Sequence, residues 1–181
     1  VDRMERMLEE TLLIVEQGNV DVTLESVDLE TVAGECWDIV FDSDAKLRIE
    51  TDRQILADEM RFRQLLENLF RNAVEHGSTS SPSQAQEDAV KQAGADVTVT
   101  VGSLDGGLFV EDDGPGIPEA DHDRVFEEGY TTSQAGSGLG LAVVRAVADA
   151  HGWEVRATTG RDGGARFEIT GIETNPTDDE T

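Results

Sequence analysis

The sequence predicts an α/β fold of the α+β kind, a two-layer sandwich in which helices cover one face of a mixed β-sheet. Two observations carry this. Strand-like segments occur early, in the middle and late in the chain, with helical patterns between them. The chain has 181 residues, enough to bury one sizeable core as a single main domain with short appendages.

The elements follow in order. Met4, Met7, Leu8, Leu12 and Val15 fall at helical spacing, and Gly18-Asn19 ends that short N-terminal helix. A helix of this length is marginal alone, so its stripe needs a surface, either its own domain or a partner helix. Residues 19–26 read as a linker. Val27-Asp28-Leu29 is an extended lead-in to a helix over Glu30–Val40. Lys46–Glu50 and Gln54–Ala57 read as strands on either side of a turn at Thr51-Asp52-Arg53. A long helix is expected over Asp58–His76, its apolar face made by Phe62, Leu65, Leu66, Leu69, Phe70 and Ala73. Residues 78–94 shift to Ser, Gln, Pro and Ala, the composition of a surface insertion. Asp96–Leu104 and Gly107–Glu111 form a hairpin around Asp105-Gly106. Residues 118–135 are polar and long enough to make a lid. Leu139–Ala150 is a helix, and strands Trp153–Thr158 and Ala165–Thr170 close the fold around Gly160–Gly164. Residues 173–181 read as a disordered tail.

Composition narrows the function. The formal charge is −25, from 39 acidic and 14 basic residues. That balance argues against nucleic acid or an anionic membrane surface, where phosphates require clustered Lys and Arg. The acids are spread along the whole chain, like the solvated surface of a protein from a salt-loving organism. Cys36, the only cysteine, leaves no internal disulfide and no cysteine-based metal site; its apolar neighbours mark it as a packed small hydrophobe. No apolar run reaches membrane-spanning length and no signal peptide is visible. A cytoplasmic module is expected, compatible with a membrane tether elsewhere in a longer protein.

Three separated segments supply the chemistry. Glu67-Asn68-Leu69-Phe70-Arg71-Asn72-Ala73 lies on the long helix, with Asn68 and Asn72 four apart on one face. An amide oxygen there is a hard ligand suited to magnesium. Asp112-Asp113-Gly114-Pro115-Gly116-Ile117-Pro118 follows a strand. Its carboxylate can accept a bond from an exocyclic amine, and its glycines permit close backbone approach. Gly136-Ser137-Gly138-Leu139-Gly140 opens the next helix, where exposed amides and the helix dipole favour phosphate. Separately, each is weak: paired helix asparagines, an Asp-Gly-Pro turn and a glycine triad are all common.

Together, and with Arg124–Thr132 between the second and third, they resemble the N, G1, F and G2 boxes of the sensor histidine kinase ATP-binding domain. That domain belongs to the superfamily of DNA gyrase, chaperone, histidine kinase and mismatch-repair ATPases. The resemblance runs from about Val27 to Ile172. It implies a Bergerat-type ATP-binding fold with ATP and Mg2+ as ligands. Asn72 would coordinate the ion, with Asn68 beside the phosphates and His76 near the nucleotide. Asp112 would accept from adenine, with Gly114, Gly116 and Ile117 against the base. Thr131, Thr132, Gly136, Ser137, Gly138, Leu139 and Gly140 would line the lid and phosphate side, and Phe126 would anchor the lid. Residues 1–18 would be the end of a dimerisation helix, able to pair two chains through residues 1–17.

The resemblance also implies partners: the protein's own phosphoacceptor domain and, in the full-length system, a response regulator. His76, His122 and His151 are the only histidines, and none has the Ser-His-acidic context of a phosphoacceptor. His122 falls in the lid, and His151 reads as a cap near its helix's C-terminus. Glu75 stands where many members carry Lys, and Arg71 could replace that charge. Asn68 occupies the position of the water-polarising glutamate of the gyrase-type ATPases, and an amide is no general base. Glu67, one residue back, is rotated by about 100° around the helix. The expected reaction is therefore phosphoryl transfer from ATP to a histidine. The alternatives are a serine-protein kinase of the anti-sigma-factor type and a non-catalytic ATP-gated interaction module.

Overall fold

The computed structural model describes residues 21–40, 45–77, 97–127 and 140–174. The predicted N-terminal helix, the 78–94 insertion and most of the second half of the lid lie outside these residues. The order is β1 (Glu25–Asp28), α1 (Leu29–Val40), β2 (Lys46–Ile49), β3 (Gln54–Ala57), α2 (Glu59–Gly77), β4 (Thr98–Leu104), β5 (Gly107–Asp112), α3 (Gly140–His151), β6 (Glu154–Thr159) and β7 (Ala165–Thr170). A 3₁₀ turn, Glu119–Asp121, lies between β5 and α3.

Short polar side chains start the first two helices. Asp28 accepts from the Thr31 N–H at 3.2 Å and Asp58 from the Arg61 N–H at 3.3 Å, each meeting an amide that the helix leaves without a partner. The five-stranded sheet runs β2-β4-β5-β7-β6, and β1 pairs with β3 in a separate two-stranded sheet. β2 is parallel to β4 and the other neighbours are antiparallel, so the sheet is mixed as predicted. The strands flanking Thr51-Asp52-Arg53 do not pair with each other; the turn carries the chain from one sheet to the other. Of the expected tail, Glu173 and Thr174 are held against β3, and residues 175–181 lie outside the described residues. The Glu173 carbonyl accepts from the Leu56 N–H at 2.9 Å, and Thr174 bridges to Ile55, because β3 offers an unpaired edge there.

α2 lies between α1 and α3. It buries Phe62, Leu65, Leu66, Leu69 and Phe70 against Val99, Val101, Leu108, Val110 and Ile169 of the sheet. Truncating Phe62 or Phe70 to Ala would cost about 3–5 kcal/mol, a large part of a domain's stability. The opposite sheet face carries the alternate residues of the same strands. It is closed by charge: Arg166 lies over the Phe109 ring, 3.9 Å from its centroid, and pairs with Glu111 and Glu168.

Candidate functional site

Asn68 sits on the buried face of α2 at 5% exposure. Its Nδ2 donates to the Gln64 carbonyl at 2.8 Å, one turn back, which leaves its oxygen directed away from its own helix. That Oδ1 lies 3.4 Å from where a Cβ would stand on Gly140, the first residue of α3. The asparagine segment and the end of the glycine segment thus meet, although 72 positions separate them in sequence. Gly140 keeps the start of α3, where helix geometry directs N–H groups outward, close to the amide. Asn72 is half-buried one turn further along, and no described residue bonds to its side chain. Glu67 points elsewhere: its charge acts on the buried Cys36 thiol of α1. Burial, with Glu67 adding to it, pushes that thiol up to about 12, so Cys36 is inert packing.

Asp112 ends β5 at 7% exposure. Its Oδ1 accepts from the Gly114 N–H at 2.9 Å and from the Ala165 N–H at 3.2 Å. Both bonds fall on one oxygen, and no described residue donates to Oδ2. Burial holds the carboxyl above the usual aspartate range, partly offset by those two bonds. The β6–β7 turn packs on this segment from one side. Gly116 has φ +79°, and a Cβ there would come within 2.5 Å of the Gly163 carbonyl. A Cβ on Gly164 would collide with the Asp112 carbonyl oxygen. Sequence reasoning treated Gly160–Gly164 as a plain turn and missed this role. The signal available was the adjacent Gly163-Gly164 pair, more glycine than a hairpin turn requires.

Beyond Gly116, Ile117 packs against the core, and its carbonyl is bridged at 3.0 Å to His122 Nε2. Phe126 is 6% exposed, with its ring 6.0 Å from Phe167 of β7 in an edge-on contact. Asp112, Gly114 and Gly116 thus gather against the β6–β7 turn, while Ile117 and Phe126 are set on the core beyond them. His76 lies in α2, its side chain outside the described residues, as are Thr131, Thr132, Gly136, Ser137, Gly138 and Leu139.

Residues 57–173, more than half of the chain, match the profile of the family described as histidine kinase-, DNA gyrase B- and HSP90-like ATPases. The chain belongs to this ATPase family. Curated relatives within it include sensor histidine kinases and sensor proteins. The domain is 30% identical over 177 residues to the sensor histidine kinase ZraS of Escherichia coli O157:H7, covering 93% of this chain and 35% of that protein. It is 37% identical over 123 residues to the sensor protein ChvG of Rhizobium meliloti, covering 62% and 19%. The chain therefore spans about a third or less of the relatives it matches.

Among solved structures, the mycobacterial sensor histidine kinase MprB superposes with a TM-score of 0.63 at 26% identity, covering 84% of this chain and 97% of that one. Full-length ShkA in complex with AMPPNP gives 0.71 at 25% identity, covering 96% and 37%. The ATPase domain is thus of the histidine kinase type, an ATP-binding catalytic domain. Among the described residues no helix is long and apolar enough to cross a membrane, and no cluster of His, Cys, Asp and Glu could hold a metal by itself.

Proposed function

We propose that this domain binds magnesium-ATP and donates its γ-phosphoryl group to a histidine on the dimerisation domain of a two-component sensor kinase, which would pass it to a response regulator. The observation that carries the reading is Asp112. It is a buried carboxylate with both its bonds on Oδ1, facing a turn of glycines at the end of β5. Oδ2 takes no donor from the described residues and is not sealed off, since none of their buried side-chain oxygens or nitrogens lacks a partner; it is open to an incoming donor, and the amine of adenine is such a donor.

On the phosphate side, Asn72 fits a magnesium ion, since its amide is committed to no described residue and an amide oxygen suits a hard cation. Bound magnesium would neutralise phosphate charge, and ATP would supply the phosphoryl group. Asn68, its nitrogen held by Gln64 and its oxygen facing Gly140, would position the phosphates against the start of α3. No base stands where the gyrase-type ATPases hold their glutamate, so hydrolysis should be slow. His122 and His151 are engaged with the Ile117 and Val147 carbonyls, which suits neither to be the phosphoacceptor.

The test is calorimetric titration of ATP with and without magnesium, followed by radiolabelled ATP with a supplied stalk domain carrying a Ser-His-acidic motif. The expected result is magnesium-dependent binding, no label on the chain itself, and an acid-labile, base-stable label on the stalk. Binding without transfer to any supplied stalk would select the ATP-gated interaction module; base-stable, acid-labile label on the isolated chain would contradict the proposal.

A further inference from the structure

Glu111 and Asp112 are consecutive on β5, so their side chains leave opposite faces of the sheet. Glu111 is 6% exposed, and a carboxylate so buried needs donors. It has three, all from the β6–β7 turn and its flanks. Arg161 Nε donates to Oε1 at 2.6 Å, Arg166 Nη1 to Oε2 at 3.1 Å, and the Arg161 backbone N–H to Oε2 at 3.4 Å. Gly160 makes the fit possible, because a Cβ there would stand 3.2 Å from Glu111 Oε2. On the other face the same turn holds Asp112 through the Ala165 N–H and presses Gly163 on Gly116. Pairing between β5 and β7 stops at Glu111 and Arg166, so the ladder with β7 does not reach Asp112. The turn is closed on itself by the Gly160 N–H to Gly164 carbonyl bond at 2.7 Å; what ties it to β5 beyond the ladder is the Glu111 clamp on one face and the Ala165–Asp112 bond on the other.

We infer that Glu111 is a positioning residue for base recognition: it clamps the β6–β7 turn through Arg161 and Arg166, and the turn fixes Asp112 with Oδ2 towards the base. The inference rests on the reading of Asp112 as the adenine acceptor. The clamp is charge-assisted and bonded from several directions, the kind that gives geometry as well as energy. A neutral amide at 111 keeps the volume but can accept on one oxygen only, and its NH2 would face a guanidinium. The turn would then loosen by small displacements. A hydrogen bond to adenine tolerates such displacements poorly.

The experiment is competition of ATP and GTP against a fluorescent adenine nucleotide, on the 181-residue chain and its variants, with urea melts to fix the folded fraction. In Glu111→Gln the ATP affinity is expected to fall about fivefold, with GTP little changed. The preference for ATP then narrows by about the same factor, as for the weakening of one net hydrogen bond. Arg156→Met removes a neighbouring exposed cation that bonds Glu168 and touches neither Glu111 nor the turn, so it should retain the wild-type ratio. An unchanged ATP:GTP ratio in folded Glu111→Gln, or equal narrowing in Arg156→Met, overturns the clamp. If Glu111→Gln does not fold, Arg161→Met removes the exposed half of the clamp and should narrow the ratio less; no narrowing there is equally fatal. Asp112→Asn separates the two ideas. If it leaves the ratio untouched, the reading of Asp112 fails; if it shrinks the ratio while Glu111→Gln does not, the clamp alone fails.

Discussion

Asn72 offers its amide to none of the described residues, which makes it the cleanest point of attack on the metal reading. Asn72→Ala removes the only oxygen the side chain could give an ion. It also replaces a mediocre helix former with the best one, a gain of up to about 0.7 kcal/mol. Magnesium-dependent ATP binding should therefore vanish in calorimetry while the thermal midpoint holds or rises; wild-type affinity in the mutant would end the assignment. Asp112 makes a prediction about both base and pH. Guanine places a carbonyl oxygen where adenine has its amine, leaving a polar group unpaired at about 1–3 kcal/mol, or roughly 5- to 150-fold in favour of ATP. Asp112→Asn should shrink that gap. Because burial raises the Asp112 pKa, the carboxylate protonates at a higher pH than a solvated aspartate. ATP affinity should fall as pH drops through that raised value, and Asp112→Asn should lose this step. The stability sign is opposite: the contribution from a raised pKa is complete below 3.8 and lost as pH rises through the folded value.

Two helices are joined by a histidine. His151 Nδ1 donates to the Val147 carbonyl at 2.7 Å, and its Nε2 accepts from the Asp58 N–H at 3.0 Å, while the ring stacks 4.0 Å from Trp153. The end of α3 is thereby fixed to the start of α2, the helix that carries both asparagines. Those bonds require the neutral ring, and a proton on Nε2 would turn its acceptor into a donor facing an N–H. Burial, the largest cause, lowers the His151 pKa. A lowered pKa means that stability is fully present above the ordinary 6.5 and is lost as pH falls through the folded value. Urea midpoints should decline from pH 7.5 to 5 in the wild type and decline less in His151→Gln; parallel profiles would show that His151 does not carry the effect. At the β6–β7 turn, Gly164→Ala places a methyl against the Asp112 backbone. It should cost about 1–3 kcal/mol as overpacking does, read as a lower urea midpoint with weaker ATP binding. A neutral outcome would mean that the turn yields freely.

Across the whole molecule the charge of −25 dominates. Several described arginines are already paired with carboxylates on the outer sheet face and beside α1, so the remaining acids mainly repel one another. Screening should relieve this, since the Debye length falls from about 10 Å at 0.1 M to 3 Å at 1 M salt. The melting temperature is expected to climb from low to molar potassium chloride, by about 2–4 °C for each kcal/mol gained in a chain of this size. A flat or falling midpoint would remove the argument for salt adaptation.

Periodicity and turn chemistry are local, and what depended on them was legible in the sequence. The buried stripe of α2, the Asp105-Gly106 hairpin, and a mixed sheet with helices on one face could all be read from residues a few positions apart. So could the order of the asparagine, aspartate and glycine segments that led to the ATPase family. The tertiary structure alone decided which groups meet across long separations. Asn68 faces Gly140; Ala165 takes one oxygen of Asp112 and leaves the other open; His151 accepts from Asp58, 93 residues earlier at the start of α2; Glu111 clamps a turn 50 residues away. Local patterns say which face of a strand or helix is apolar, but not which partner that face will find. That choice belongs to the packing of the whole chain, where a buried polar group is stable only if some distant donor or acceptor arrives to meet it.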